Sequence, residues 1–548
     1  MAILKSKTKR SKKSKNQSKS ESPTLTLQER LAAKRKANQA RKELTSVLTT
    51  VIFVSLFVGL LLFLVSGVKT AVPVVLGIVV ITLCYKYPRV GLLAFLAYVP
   101  FGGTITYYIG NSPILQLAKD AFYFPALIAI WQICRKQNLP LIVPKSIRTP
   151  LFILFSLCLL TLVFINGSQQ LNPSGIEFLP KAPVEIPLGM GILGLKVLLG
   201  YVFLIGCVYH LIKDKKDFLL VTRIQVALIL ICGVLGIIQY FFLQVGICQG
   251  TRNAAGGDLF KATLEARCYF GGALVYSPDE GIIRLPGTFV APWQWAWFLI
   301  SSTFFAFASG FSDPSFIWRI ISLGSMATVF INAVISGQRI ALALVPICFI
   351  ILLFLTGQIG NLKRFIPIGA GLALVLGIAM VNNPDVVKER TESFTGRWEA
   401  SPPQEFIIQQ FEDTWKGLNS PLGMGLGRAT NSARTLGATR LIETYYPKVM
   451  YEVGIVGLLG FIAFVTSMTI AGFKAYRSVK NRNLRTYAAA MWVFVLFISY
   501  NTYYYPLDVD PVAVYYWFVA GLLFKLPVLD KQEKEELEPK KKGKRFLL

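Results

Sequence analysis

Long apolar runs alternate with short basic or polar segments along most of the chain, and many of them approach the roughly 20 residues that cross a bilayer as a helix. We count 14 such runs and predict an all-α, polytopic helical membrane protein. Because the second and third runs are short enough to form one broken hairpin, 12 spans is the alternative count. The predicted spans are 46–66, 71–85, 90–103, 115–133, 150–165, 190–212, 219–243, 288–309, 317–336, 338–356, 365–381, 446–472, 486–503 and 512–526.

The same pattern divides the chain into five predicted regions. They are a basic cytoplasmic tail, partly an amphipathic helix, at 1–45; transmembrane helices with an outer loop (244–287) at 46–381; a large periplasmic loop at 382–445; C-terminal transmembrane helices at 446–526; and a charged cytoplasmic tail at 527–548.

Charge supports this interpretation and predicts an orientation. Only 16% of the residues are charged, against about 25% in soluble proteins. The net charge of +28 collects in the first 45 residues and in every second connecting loop. Because Lys and Arg favour the cytoplasmic side, we predict a multi-pass protein of the inner (plasma) membrane with both termini in the cytoplasm. The basic tails then meet anionic membrane lipids, and we expect no nucleic-acid partner because no nucleic-acid-binding motif accompanies the charge.

The histidines and cysteines limit the kinds of metal site and disulfide that the chain can form. His210 is the only histidine, which excludes multi-histidine metal sites, and we expect neither a metal nor a cofactor. Cys248 and Cys268 are the only cysteines in a sizeable predicted outer loop. We predict a disulfide between them, because an outer compartment permits oxidation; two unpaired thiols are the alternative.

Three arginines lie at predicted outer positions: Arg284, Arg339 and Arg397. The planar guanidinium group grips phosphate oxygens through two parallel hydrogen bonds, which makes these residues candidate phosphate ligands. The alternative for each is interfacial snorkelling or a salt bridge within a loop.

Residues 420–461 hold the other candidates. Small residues in SPLGMGLG predict a turn that brings backbone close to another group, and we take its glycines as a candidate substrate loop: Gly423, Gly425 and Gly427. Tyr445 and Tyr446 either belong to an aromatic belt or present their faces to a sugar. Glu452, in an apolar run, is either functional or the structural partner of an arginine.

Few other charged residues lie in or beside the apolar runs. We interpret Asp508 and Asp510 as part of a solvated turn rather than as a metal pair. Lys119 and Asp120 are candidates for an intramembrane ion pair or a hydrated cavity. Together with Lys196 they are the few candidates for the mid-membrane polar residues that a transporter would need.

Four segments of the C-terminal half carry a resemblance to a known family. They are RLPGTF (284–289), SGQRIALAL (336–344), GRWEA (396–400) followed by PLGMGLG (421–427), and YEVGIVGLLGF (451–461). In this order and spacing they resemble the O-antigen ligase and O-antigen polymerase superfamily of bacterial polysaccharide assembly. The resemblance covers residues 282–527, about half of the chain.

The resemblance implies a metal-independent glycosyltransferase at the outer face of the inner membrane. Its donor would be a glycan linked to undecaprenyl diphosphate, and its acceptor a glycan or a lipid, as in lipopolysaccharide assembly. By the same resemblance, Arg339 and Arg397 would hold the diphosphate and stabilise it as it leaves, with Arg284 as a weaker candidate.

Ligases of this superfamily place a histidine and a polar residue nine residues before a Gly-x-x-Gly motif. Here Gly454 and Gly457 match that motif, and Glu443 and Thr444 stand at the earlier pair. A carboxylate can act as a general base, so Glu443 is the candidate catalytic base. The glutamate in place of the histidine favours a polymerase, or a ligase for an acceptor other than lipid A-core.

The alternative functions are a membrane transporter, since some members of the superfamily are named as inorganic-carbon transporters, and a non-catalytic component of polysaccharide export.

Overall fold

The computed structural model describes residues 27–109, 118–171, 185–260, 266–272, 274–278, 282–364 and 402–545, together with Gly377 and Gly396. Within these residues every regular element is a helix apart from four strands of two residues each, as the all-α prediction requires. The chain divides into two compact units, Met1–Thr82 and Leu83–Leu548.

The described residues form 17 α-helices. In chain order they are α1 Leu27–Ser66, α2 Val68–Lys86, α3 Pro88–Tyr98, α4 Gly102–Ile109, α5 Asp120–Lys136, α6 Arg148–Leu160, α7 Gly167–Leu171, α8 Pro187–Leu199, α9 Leu204–Leu211, α10 Lys215–Gln244, α11 Pro292–Ser312, α12 Phe316–Ile335, α13 Arg339–Leu355, α14 Pro403–Lys416, α15 Tyr445–Ser478, α16 Arg482–Tyr500 and α17 Val512–Arg545.

Eight helical stretches among the described residues are long and apolar enough to cross a membrane. They are Arg41–Ser66, Pro88–Tyr108, Lys145–Leu171, Lys215–Gln244, Pro292–Ser312, Phe316–Ile335, Tyr445–Ser478 and Val512–Glu536. Helices α8 and α9 meet at an angle of 42° and add a ninth if they form one bent span. Helices of this length and apolar composition are those of a membrane protein. The predicted span at 365–381 lies outside the described residues except for Gly377, so the counts of 14 and 12 stay predictions.

The first unit joins part of the predicted basic tail to the first predicted span. The basic stretch and the first predicted span form one helix of 40 residues, α1. Its polar half is rich in Ala, Lys, Arg, Leu and Glu, which are strong helix formers, and holds neither Gly nor Pro. The helix ends at Gly67, which has a positive φ of 77°.

Helix α11 lies at the centre of the second unit and packs against α10, α12, α13, α16 and α17. Small residues alternate with phenylalanines in its FFAFASG segment, and small side chains let neighbouring helices approach closely. The hydroxyl groups of Ser301 and Ser302 donate to backbone carbonyl oxygens one turn earlier, at 2.7 and 2.6 Å. The helix is therefore buried with its polar groups satisfied, as an apolar interior requires.

Four short strands lie between α10 and α11. Strand β1 (Arg267–Cys268) pairs with β2 (Gly271–Gly272), and β3 (Tyr276–Ser277) pairs with β4 (Ile282–Ile283), both antiparallel. The disulfide predicted between Cys248 and Cys268 is present. It ties the segment after α10 to the first of these hairpins.

Candidate functional site

Helix α15 is broken at Gly454, whose φ of 76° and ψ of −178° are not helical. In a straight helix, 16 residues would separate Tyr445 and Phe461 by about 24 Å, yet their ring centroids are 5.4 Å apart. The break therefore turns the chain back on itself. We call residues 445–453 the first arm and residues 455–478 the second arm; the first arm lies alongside the beginning of the second.

The glycine-rich segment 423–427 packs against this break. The backbone N–H of Met424 donates to the carbonyl oxygen of Tyr451 at 2.7 Å. Gly423 has a φ of 81°, and a Cβ atom there would lie 2.5 Å from the backbone nitrogen of Gly454. All three glycines of the proposed substrate loop are buried. The prediction that this backbone approaches another group closely is correct, but the group is the protein's own helix, so these glycines do not line an open substrate site.

The two tyrosines that begin the first arm are also packed inside. Tyr445 is 3% exposed, and its ring meets that of Phe461 edge-on. Tyr446 is partly buried, and its hydroxyl group donates to the carbonyl oxygen of Ser499. The fold-back at Gly454 brings both rings against Phe461 of the second arm, and burial removes the Tyr445 ring from any sugar-facing surface. The structure thus contradicts the assignment of Tyr445 as a substrate-loop residue, while that of Tyr446 stays a prediction.

Glu443 lies in the loop just before the first arm. Its backbone N–H donates to the side chain of Gln410, on α14, at 3.2 Å. The next residue, Thr444, forms an antiparallel bridge with Tyr503. Glu443 is half-buried, and its carboxylate makes no hydrogen bond or ion pair with any residue that the structure describes. The backbone around this carboxylate is therefore fixed, while the carboxylate itself is available to a ligand.

The turn after α16 faces Glu443. Tyr504 and Tyr505 have φ values of 56° and 32°, in the left-handed region that bulky residues rarely adopt. Such backbone costs on the order of 1–3 kcal/mol per residue and is often found at functional sites. Burial raises the pKa of Tyr505 above its usual value, and the Glu443 carboxylate raises it further. The phenol therefore keeps its proton at neutral pH.

Buried charges hold the first arm in place. Lys448 Nζ lies 2.7 Å from Asp508 Oδ1, and this ion pair joins the first arm to the turn at Pro506–Asp508. Glu452 is 3% exposed and accepts from the backbone N–H of Ala429 and the hydroxyl of Thr430, at 2.8 and 2.9 Å. Glu452 is thus a structural acceptor for the segment that follows the glycines, and its partners are not arginines.

Arg428 is a buried residue that the sequence analysis does not single out. It is 1% exposed, bonds Gln169 through two nitrogens at 3.0 and 3.1 Å and pairs with Glu185 at 3.2 Å. Its position directly after three closely spaced glycines is the only sequence signal for this role. The arginine anchors the glycine segment to Gln169 of α7 and to Glu185, two residues before α8.

A second charged cluster lies where α8 and α9 meet. Lys196 Nζ lies 2.7 Å from Asp120, and the hydroxyl of Tyr201 donates to the same carboxylate at 2.7 Å. Lys119 pairs with Asp510, and both lysine ammonium groups lie over the ring of Tyr201, at 5.4 and 5.2 Å from its centroid. We define these five residues as the Tyr201 cluster. The structure confirms ion pairing for Lys119 and Asp120, and shows that Asp508 and Asp510 are ion-paired and do not form a solvated turn.

Two of the three candidate arginines lie on adjoining segments. The backbone N–H of Leu285, next to Arg284, donates to the carbonyl oxygen of Ser336 at 2.9 Å. Arg339 begins α13 three residues later and is half-buried. The guanidinium group of Arg284 makes no hydrogen bond or ion pair within the described part of the chain. Arg397 lies outside the described residues.

No group of three or more His, Cys, Asp or Glu side chains within the described ranges is placed to hold a metal ion. No protein-family model matches the chain, and a search of curated proteins also finds no match. The resemblance to the O-antigen ligase and polymerase superfamily therefore stays an expectation from the sequence.

Proposed function

We propose that the chain is a membrane glycosyltransferase that polymerises or ligates surface polysaccharide carried on undecaprenyl diphosphate, at the outer face of the inner membrane. The observation that carries this proposal is Glu443, an unengaged carboxylate on a fixed backbone beside a strained turn. A general base needs such a placement, because it must be free to take a proton and yet be positioned to within a fraction of an ångström.

Five other carboxylates support this choice by contrast. Each of the five already has a hydrogen-bond or ion-pair partner in the protein: Asp120, Glu185, Glu452, Asp508 and Asp510. A proton acceptor for a substrate hydroxyl must be found among the groups that the fold leaves unengaged, and Glu443 is such a group.

In the proposed reaction an acceptor hydroxyl donates its proton to Glu443 while its oxygen attacks the anomeric carbon of the donor. A new glycosidic C–O bond forms, and the bond between the anomeric carbon and the phosphate oxygen breaks. The electron pair leaves with the lipid diphosphate. Arg339 and Arg397 are proposed to stabilise the charge that develops there, since fixed cations aimed at a leaving group lower the barrier.

The direct test uses the purified protein in lipid nanodiscs with a glycan linked to undecaprenyl diphosphate as donor. Longer glycan chains on the same lipid would indicate a polymerase, and transfer to an added acceptor would indicate a ligase. Deleting the gene should accordingly shorten the surface polysaccharide to single repeats or detach it from its anchor. An unchanged polysaccharide, together with no transfer in nanodiscs, would reject the proposal.

A membrane transporter is the second candidate, and the Tyr201 cluster favours it. Lys196 lies nine residues, or about 14 Å, along α8 from Pro187. Its charged partner, Asp120, comes from α5, and the cluster sits at the 42° bend between α8 and α9. Transport sites are often built at such broken helices.

Vesicle uptake separates the two candidates. The protein is reconstituted into sealed liposomes, and entry of labelled bicarbonate is measured with the wild type and with Lys196→Met. Uptake by the wild type that Lys196→Met abolishes would establish transport. Uptake equal to that of empty liposomes, with glycan transfer intact, would leave the glycosyltransferase.

A further inference from the structure

An open groove lies between two membrane-crossing stretches, Lys145–Leu171 and Tyr445–Ser478. It has a volume of about 370 Å³, within the roughly 300–1,000 Å³ that small-molecule sites occupy. One wall is formed by Ser146, and the other by the second arm of α15. The hydroxyl group of Ser467, on that arm, donates to the carbonyl oxygen of Ser146 at 3.0 Å. A hydrogen bond therefore holds the two walls together.

The wall on α15 is a stripe of small and apolar residues that ends in a charge. The groove is lined by Ala463, Ser467, Ala471 and Lys474, which follow one another at intervals of three or four residues and so share one face of the helix. Ile470 lies beside them and is 51% exposed. From Ala463 to Lys474 the stripe is about 16 Å long, which is close to half of the roughly 30 Å hydrocarbon core of a bilayer. The groove thus matches the depth of one leaflet.

Basic groups gather at the Lys474 end of the groove. Lys145, which precedes Ser146, and Arg477, one turn after Lys474, are exposed like Lys474 itself. In the part of the chain that the structure describes, the Lys474 ammonium group makes no hydrogen bond or ion pair. None of the described side chains that line the groove is acidic. In the predicted orientation this end faces the cytoplasm, where the membrane surface is anionic.

We propose that this groove binds an anionic phospholipid of the cytoplasmic leaflet. An acyl chain lies along Ala463 and Ile470, and the phosphate accepts hydrogen bonds from the Lys474 ammonium group and the Ser146 hydroxyl group. An amphipathic anion fits because the stripe is apolar along its length and positively charged at its end. The inference is independent of the proposed reaction, which uses none of these residues.

A second copy of the chain is the alternative occupant, because small residues four apart let membrane helices pack closely. In a two-fold dimer about the membrane normal, equivalent residues of the two copies meet at the same depth. Two Lys474 side chains and two Arg477 side chains would then face each other, and like charges repel. The charge at the end of the stripe therefore favours an anionic lipid over a second copy.

The test measures lipid binding to the purified full-length protein by native mass spectrometry in detergent. The probes are dioleoyl phosphatidylglycerol, which is anionic, and dioleoyl phosphatidylcholine, which has no net charge. Phosphatidylglycerol should bind the wild type more tightly than phosphatidylcholine. Lys474→Gln should weaken phosphatidylglycerol binding about fivefold, the effect of one lysine at an anionic membrane surface. Inorganic phosphate should not displace the lipid, because it cannot fill the apolar part of the groove.

Lys136→Gln is the matched control, because Lys136 is an exposed lysine in the last turn of α5 and does not line the groove. This variant should bind both lipids like the wild type. Ala463→Leu, at an exposed position, fills part of the groove and should weaken the binding of both lipids. Equal phosphatidylglycerol binding by Lys474→Gln and the wild type would overturn the inference. A wild-type dimer that Ala463→Leu dissociates, with lipid binding unchanged, would also overturn it and assign the groove to a second copy.

Discussion

The ammonium group of Lys448 lies 2.7 Å from the carboxylate of Asp508, with the two side chains only 5% and 6% exposed. This pair joins the first arm of α15 to the turn that follows Tyr505. Because Glu443 immediately precedes the arm, the same ion pair helps to hold the loop of Glu443 against the segment at Thr502 and Tyr503.

Removing one partner of this pair should be strongly destabilising. Asp508→Asn leaves the Lys448 ammonium buried without a counter-charge, and such losses cost about 3–5 kcal/mol. Thermal unfolding of the purified protein in detergent measures the effect. The matched control is Glu412→Gln, which breaks the exposed Lys416–Glu412 pair, whose side chains are 72% and 60% exposed. That variant should change stability by less than about 1 kcal/mol, and an equal effect of both variants would contradict this account.

Gly454→Ala should destabilise the protein or straighten α15 at its break. Its backbone lies in a region that is essentially restricted to glycine, with a cost of about 1–3 kcal/mol for other residues. An added Cβ would also overlap the carbonyl oxygen of Pro421. Gly324→Ala is the control, because that helical glycine has open space around it and alanine favours a helix by up to about 1 kcal/mol. Thermal unfolding should therefore separate the two variants, with only Gly454→Ala losing stability.

Much of the fold follows from the sequence, because each apolar run predicts one helix and proline or glycine residues bound several of them. The predicted span at 219–243 corresponds to α10, and the one at 288–309 to α11. The break at Gly454 could not be predicted in the same way. Its flanking residues read as one continuous apolar helix, and the reversal depends on contacts with Gly423 and Pro421, more than 30 residues earlier.

The candidate site was predicted less completely. The family spacing singles out Glu443, which the structure places on a fixed loop with an unengaged carboxylate. The position of Tyr445 at the mouth of a predicted span leaves an aromatic belt and a sugar-facing surface open, and burial at 3% exposure contradicts the sugar-facing alternative. The turn after α16 could not be predicted either, because nothing in YYYP distinguishes its second and third tyrosines until their left-handed φ values are seen.

The positive-inside pattern predicts that the segment before α15 faces outward. Asn419 is exposed, so a single cysteine placed there should react with a membrane-impermeant maleimide in intact cells. A cysteine at Lys531, on the predicted cytoplasmic side, should react only after permeabilisation. The opposite pattern of labelling would reverse the topology and remove Glu443 from the outer face.

Arg339→Ala should abolish glycan transfer while the protein still accumulates in the membrane. Arg339→Lys should restore little, because an ammonium group lacks the paired nitrogens that grip a diphosphate. Arg267→Ala is the control: Arg267 is an exposed arginine of β1 that lies over the ring of Tyr108. Transfer assays in nanodiscs give the comparison, and full activity of Arg339→Ala would exclude this arginine as a phosphate ligand.

Glu443→Gln is the sharpest test of the proposed base. The amide keeps the size and hydrogen-bonding reach of the side chain but cannot take a proton, so turnover should fall by roughly 10²- to 10⁴-fold, the usual contribution of a general base. Donor binding should change little, since the arginines proposed to hold the diphosphate are untouched. Glu443→His puts the residue found in the resembling ligases at this position and should retain more activity than Glu443→Gln. If the glutamine variant instead turns over like the wild type, Glu443 serves only the loop. Glu452 would not replace it as the base, because its carboxylate already accepts two hydrogen bonds inside the protein.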